Sequence, residues 1–333
     1  MAALINSTTG AAHTRISGIG AYRPRRLVPN SEIVEAIDSS DEWIQERSGI
    51  KSRYRAGDGE SVVEMSEAAS RDALEMAGLA ATDIDAVILA TITHPYQTPA
   101  AAPALAHLMG MNSPAAFDIS AACAGYCHGI ALAHDMVRGG SARNVLVVGV
   151  ERLSDFTSST DRGTAFIFGD GAGAAIVSPS ETPAIGPTVW GSEGDKWDVI
   201  AQNDSWVEMR DKGLDWPMIG MKGQSVFRWA IWGMAPAAQR ALDAAGVTVD
   251  QLDAFIPHQA NLRIVDAMCK QLKIPDHVAV ARDIIDSANT SAASVPLATE
   301  RLMREGLAPR GGLALQIGFG AGLVYAAQVV VLP

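Results

Sequence analysis

Residues 73–88, ALEMAGLAATDIDAVI, align without gaps on residues 241–256, ALDAAGVTVDQLDAFI, at a shift of 168. Ala73, Leu74, Ala77, Gly78, Asp85, Ala86 and Ile88 meet identical residues in the second copy. A pattern written twice at this distance requires two related folding units. Each copy reads as a helix stopped by glycine, a short polar turn and a buried strand. The same shift pairs Asp118 with Asp286 and Cys123 with Ser291, and it sets VLVVGV (145–150) against LALQIG (313–318). The halves meet near SPSETPAI (178–185), where Ser and Pro interrupt the pattern. We therefore expect one half at 1–178 and the other at 179–333. Buried strands alternating with helices call for an α/β fold with mostly parallel central sheets, covered on both faces. Duplicated halves bring equivalent turns together at a pseudo-twofold axis, where a site drawn from both can form.

Charge and composition narrow the partners. The balance of 26 basic against 37 acidic residues, a net −11, argues against a general nucleic-acid binder, although a local basic patch could still receive an acidic partner. Three cysteines, Cys123, Cys127 and Cys269, cannot build a disulfide framework, which fits a reducing cytoplasm. The opening MAALINSTTGAAHTR lacks the pattern of a signal peptide. Leu313 to Leu332 carries no charge and is long enough to span a bilayer. Gly318, Gly320 and Gly322 divide it, so two buried strands around a glycine turn explain it better than a membrane helix.

Four stretches could hold chemistry. In FDISAACAGYCHGIAL (117–132), Cys123 stands between a strand and the start of an amphipathic helix. There the helix dipole favours a thiolate, although small buried cysteines also serve as core filler. Cys127 reads as packing, and a metal at Cys-x3-Cys lacks two further ligands. In DAFIPHQANLR (253–263), Pro257 breaks a buried strand and delivers His258 at its end; the plain alternative is a hydrogen-bonded core histidine. SANTSAAS (287–294) is either a helix cap or a polar counterpart of the Cys123 turn. GFGAG (318–322) is a tight hairpin turn or a backbone N–H offered to an anionic oxygen. FGDGAGAA (168–175) lacks the context of a dinucleotide loop and reads as the start of a buried strand.

Taken together, these stretches resemble β-ketoacyl-acyl carrier protein synthase III, an initiating condensing enzyme of the thiolase superfamily. The resemblance runs from ISGIGAYRPRR (16–26) to YAAQVVVLP (325–333). It includes DSSDEWIQERSGI (38–50), AACAGY (121–126), DRGTAFIFGDGAGAA (161–175), PHQANLRI (257–264) and NTSAAS (289–294). It implies a thiolase-like αβαβα fold of two duplicated halves and a Cys-His-Asn triad of Cys123, His258 and Asn289. It also implies an oxyanion hole from the N–H groups of Cys123 and Ala321. Ala288 and Ala321 depart from glycines common in the family.

The implied reaction carries an acyl group from an acyl-CoA primer to Cys123, then condenses it with malonyl-acyl carrier protein by decarboxylation. CoA thioester is a substrate, and no cofactor or metal is expected. The resemblance places CoA adenine between Trp43 and Arg162, CoA phosphates near Arg47, and pantetheine past Asn261, Gly223 and Phe319. Arg228, Arg263 and Lys270 become contacts for the acidic carrier protein. Thr98, where short-primer members have a large aromatic, implies an acyl pocket at a homodimer interface open to branched or longer primers. The same acyl-cysteine would also serve a polyketide starter-unit synthase or an acyltransferase.

Overall fold

The computed structural model describes residues 5–214 and 216–333. The first half holds strands β1 (His13–Tyr22), β4 (Ala86–Ala90), β5 (Ala115–Ile119), β6 (Val145–Glu151) and β7 (Gly171–Ser180), with β2 (Arg26–Pro29) and β3 (Ser52–Arg55) as a side ribbon. Its helices are α1 (Asp41–Ser48), α2 (Val62–Ala77), α3 (Ala101–Leu108) and α4 (Gly125–Gly139). The second half holds β8 (Val189–Ser192), β11 (Ala254–Pro257), β12 (Ala279–Val280), β13 (Leu313–Gly320) and β14 (Val324–Val331). A second ribbon pairs β9 (Ile200–Gln202) with β10 (Ile219–Met221). The remaining helices are α5 (Trp206–Lys212), α6 (Gly223–Ala245), α7 (Leu262–Leu272), α8 (Ile284–Ser287) and α9 (Ser294–Arg304).

The duplication is written into the sheets. One runs β1-β7-β6-β4-β5 and the other β8-β14-β13-β11-β12, the same order in the same sense. The repeat's shared glycines end their helices in the left-handed conformation, Gly78 at φ 66° and Gly246 at φ 66°. Its shared aspartates also do one job. Asp85 accepts the N–H of Asn144 at 2.9 Å and Asp253 that of Leu313 at 2.8 Å, each fixing the start of the neighbouring parallel strand.

The sheets are mixed rather than mostly parallel. β4 lies parallel to β5 and β6, and β7 antiparallel to β6 and β1. No long helix connects β6 to β7 or β13 to β14, and without a crossover the chain returns antiparallel. β13 and β14 form the glycine-turned pair expected of residues 313–332.

Helices α4 and α9 pack between the sheets, α2 and α3 cover the first sheet's outer face, and α6 covers the second's with α7 beside it. The result is five layers, αβαβα. Their cores are the interior cluster around Tyr126, Ile130, Val295 and Ala298 and two outer clusters around Leu105 and Phe255.

Where the halves meet, the repeat's register slips by one. Short turns at Ala122–Ala124 and Ser291–Ala293 precede α4 and α9, and their first residues share a left-handed backbone, φ 43° at Ala122 and φ 47° at Ser291. Ser291 therefore matches Ala122, and Cys123 matches Ala292. Asp118 and Asp286 are not equivalent either, since one lies in β5 and the other in α8. Each turn presses on a strand glycine of the opposite half. A Cβ on Gly149 would stand 2.2 Å from Ala292 O, and one on Gly318 2.9 Å from Cys123 O. This close crossing brings the two halves' functional residues together.

Candidate active site

Cys123 sits on the first of these turns, half-buried, with its side chain on the walls of two adjoining cavities. The larger, about 370 Å³, is lined mostly by apolar residues including Ile92, Leu153, Phe156 and Ile219. The smaller, about 130 Å³, carries His258, Asn289, Phe319, Asn261 and Gly223 on its wall. Burial pushes the thiol up to about 12, with Ser291 opposing the rise. The expected lowering by the helix start is thus outweighed, because desolvation of a thiolate costs more than a partial charge returns.

His258 follows the last residue of β11, and its backbone N–H donates to Ile317 O at 2.7 Å, tying it to β13. The ring is 1% exposed and meets the edge of Phe319 at 5.2 Å. Its Nδ1 lies 2.6 Å from Ser294 Oγ, an oxygen that also accepts the Gln259 N–H at 3.4 Å. The Ser294 hydroxyl then has its proton for Nδ1, which leaves hydrogen on Nε2. Burial lowers the imidazole to about 3, so it stays neutral at physiological pH.

Asn289 is held across the halves. Its N–H donates to Ile167 O at 2.9 Å, and its carbonyl accepts the Gly169 N–H at 3.0 Å. Its side-chain Oδ1 accepts the Ser291 N–H at 2.8 Å, which leaves the amide NH₂ to donate. Ala288, just before it, adopts φ 55° and ψ −161°, a region nearly reserved for glycine. Its methyl group is buried against the cluster of Ile44, Ile50 and Phe166. Strain and packing are thus set against each other at this departure from the family pattern.

The outer residues divide. Arg162 lies 4.8 Å over the Trp43 ring and Arg47 lies 5.7 Å from it, so the stack is closed and a planar base would have to part Trp43 from Arg162. Asn261 caps α7, accepting the Arg263 N–H at 2.9 Å and donating to Arg47 O at 2.9 Å, which joins α7 to α1 at the cavity rim. Arg228, Arg263 and Lys270 are exposed, and among the described residues none is in an ion pair. Arg263 stacks 4.9 Å over Phe227, a residue of the smaller cavity. Ala321 lines the larger cavity beside Cys123.

Thr98 is exposed in the single chain and outside the residues lining either cavity. Within one chain the pocket is shaped by Ile92, Leu153 and Phe156, and Thr98 could act only across to another copy.

Sequence reading missed Ser294 and Glu151 and took Ser291 only as a repeat partner. Glu151 had a signal, an acid closing the otherwise apolar run VLVVGVE. Ser294 had none, because a serine at a helix start reads as a cap.

Residues 117–194 match the 3-oxoacyl-[acyl-carrier-protein] synthase III family, and residues 242–332 match the family's C-terminal region. A β-ketoacyl-[acyl-carrier-protein] synthase III of Streptomyces glaucescens is 58% identical, over 99% of both chains. The chain belongs to the 3-oxoacyl-[acyl-carrier-protein] synthase III family. A mycobacterial member from Mycobacterium marinum is 49% identical over 99% of this chain and 98% of its own. Among solved structures, the priming β-ketosynthase of the R1128 polyketide biosynthetic pathway superposes with a TM-score of 0.96 at 48% identity, covering 98% of each chain. The family member from Aquifex aeolicus VF5 gives 0.89 at 36% identity, covering 96% of this chain and 99% of its own. The thiolase-like fold anticipated for this chain is the fold of these family members.

Proposed function

We propose that this chain condenses an acyl-CoA primer with malonyl-acyl carrier protein, releasing carbon dioxide and forming a 3-ketoacyl-carrier protein. One observation carries the reading: two neutral donors, His258 Nε2–H and the Asn289 amide, share a cavity wall with the Cys123 thiol. Cys123 takes the acyl group as a thioester and releases CoA. The N–H groups of Cys123 and Ala321 hold the oxyanion, each worth about 3 kcal/mol. Loss of carbon dioxide from the malonyl group places negative charge on its thioester oxygen, where His258 and Asn289 donate. The resulting carbanion attacks the Cys123 thioester, with Cys123 sulfur as leaving group. Decarboxylation supplies the carbanion without a strong base, which suits an imidazole that cannot readily protonate.

Trp43 and Arg162 are assigned to the adenine, Arg47 to CoA phosphates, and Gly223, Asn261 and Phe319 to pantetheine. Unpaired cations at Arg228, Arg263 and Lys270 suit the acidic carrier protein. We assign the chain to a homodimer, supported by exposed Phe117 and Leu108 around β5, the end strand of the first sheet. In that assembly Thr98 would serve the partner's acyl pocket. Thr98→Phe should then shift preference towards acetyl-CoA; unchanged relative rates across primers would remove Thr98 from primer selection.

The test follows products from a panel of acyl-CoAs with malonyl-acyl carrier protein. Matching amounts of CoA, carbon dioxide and 3-ketoacyl-carrier protein support condensation. Acyl transfer independent of malonyl-carrier protein would establish the acyltransferase alternative instead. The 0.96 superposition on a polyketide priming synthase favours a starter-unit role as second reading, which the preferred primer distinguishes. Ser294→Ala should lower decarboxylation about tenfold by releasing the imidazole tautomer. An unchanged rate would show that Ser294 does not set it.

A further inference from the structure

Glu151 closes β6 fully buried, and the condensation chemistry above makes no use of it. Its Oε2 accepts Thr93 Oγ1–H at 2.7 Å, Thr91 Oγ1–H at 3.1 Å and the Ile92 N–H at 3.1 Å. Its Oε1 accepts the Ser291 hydroxyl at 3.0 Å. The two threonine oxygens themselves accept N–H groups, Thr93 from Arg152 at 2.8 Å and Thr91 from Thr93 at 3.1 Å. Their protons are thereby left for the acid, and four donors on one carboxyl group are an arrangement built for its ionised form.

Ser291 faces two ways. Its hydroxyl donates to Glu151, while Ser291 and Cys123 stand together on the wall of the larger cavity. Meanwhile His258 is poorly disposed to take the thiol proton, since Ser294 occupies Nδ1 and Nε2 already carries hydrogen. The thiol needs another acceptor.

We propose that Ser291 and Glu151 form a proton relay that deprotonates Cys123 for acyl transfer, an inference that rests on the acyl-cysteine reading above. The Cys123 S–H proton passes to Ser291 Oγ as the Ser291 proton passes to Glu151 Oε1. The sulfur lone pair forms a bond to the acyl carbon, and the bond from that carbon to the CoA sulfur breaks. The proton held on Glu151 returns through Ser291 to the departing CoA thiolate, so the relay is restored and no proton is consumed. Ser291 is the group at the reacting sulfur, and Glu151 acts through it.

Burial holds Glu151 up at about 7 despite its donors, so the relay is loaded for proton uptake as pH rises through that value. The titratable group facing it is the Cys123 thiol. Arg152, next in the chain, turns its guanidinium to Asp155 at 3.0 Å and to the carbonyls of Gly57 and Glu60.

The experiment measures acetyl transfer from acetyl-CoA and iodoacetamide alkylation of Cys123 across pH, on the full chain, Glu151→Gln and Ser291→Ala. Ser291→Ala is the conservative variant for folding, because Ala122 already occupies the equivalent left-handed position in the other half. In the unaltered protein both rates should rise with pH through about 7 and then level. Both variants should lose that inflection and transfer acetyl about 10²-fold more slowly, with condensation by enzyme acylated beforehand falling less. An inflection unchanged in folded Ser291→Ala, or absent from the unaltered protein, would overturn the relay. If the unaltered protein accepts no acyl-CoA yet its alkylation inflects and both variants lose this, the relay stands and the acyl-transfer reading fails.

Discussion

His258→Ala and Asn289→Ala will each slow malonyl decarboxylation by about 10²–10³-fold, while Cys123 continues to accept acyl groups. The expectation follows from how the two donors are held. Ser294 fixes hydrogen on His258 Nε2, and the Ser291 N–H occupies Asn289 Oδ1, so each side chain presents hydrogen to the cavity and neither presents charge. Removing one leaves the developing enolate with a single neutral donor. Removing both should cost less than the product of the single effects, because they serve one oxygen. The pH dependence has a definite sign. Since burial holds the imidazole near 3, His258 is neutral above that value and contributes no inflection near neutrality. Stopped-flow measurement of carbon dioxide release beside mass-detected acylation separates the steps. Equal loss of both in His258→Ala would mean that the imidazole serves the thiol rather than the enolate.

Gly320→Ala is expected to slow acyl transfer about 10²-fold in a chain that still folds. A Cβ on Gly320 would stand 2.8 Å from both Cβ and Sγ of Cys123 and 3.3 Å from its N. Those contacts are too short to keep, and the turn carrying Cys123 is pinned between the sheets, so the sulfur must shift. Displacement of about 1 Å from the attacking geometry costs about 10²-fold. Circular dichroism and the rate of adduct formation from an acyl-CoA would be compared. A folded Gly320→Ala chain acylated at the unaltered rate would show that the turn yields, and that tight packing of β13 on the nucleophile is dispensable.

The fold was legible because its strongest signal is local and repeated. Helix, glycine stop and strand need only short-range sequence, and two copies fixed two sheets of the same order. Strand direction was less accessible, because the returns from β6 to β7 and β13 to β14 depend on loop routing rather than periodicity. The register of the repeat slipped at the turns, where Ala122 and Ser291 share a backbone angle that side-chain identity does not advertise. Cys123 and His258 stood out at a helix start and a strand end, and the family resemblance joined them to Asn289 as a triad. What Ser294 and Glu151 touch was not legible, because their contacts join segments far apart in the chain. Thr98 shows the limit of reading size from a single position, since its place relative to a pocket depends on assembly.

Every step proposed above passes through one sulfur in a cavity it shares with His258 and Asn289. The most direct measurement is peptide mass mapping after brief exposure to an acyl-CoA, before and after adding malonyl-acyl carrier protein. The predicted result is one acyl group on the peptide carrying Cys123, discharged as 3-ketoacyl-carrier protein when the malonyl partner arrives. An adduct on Cys127 or Cys269, or one on Cys123 that persists after the partner is added, would contradict it.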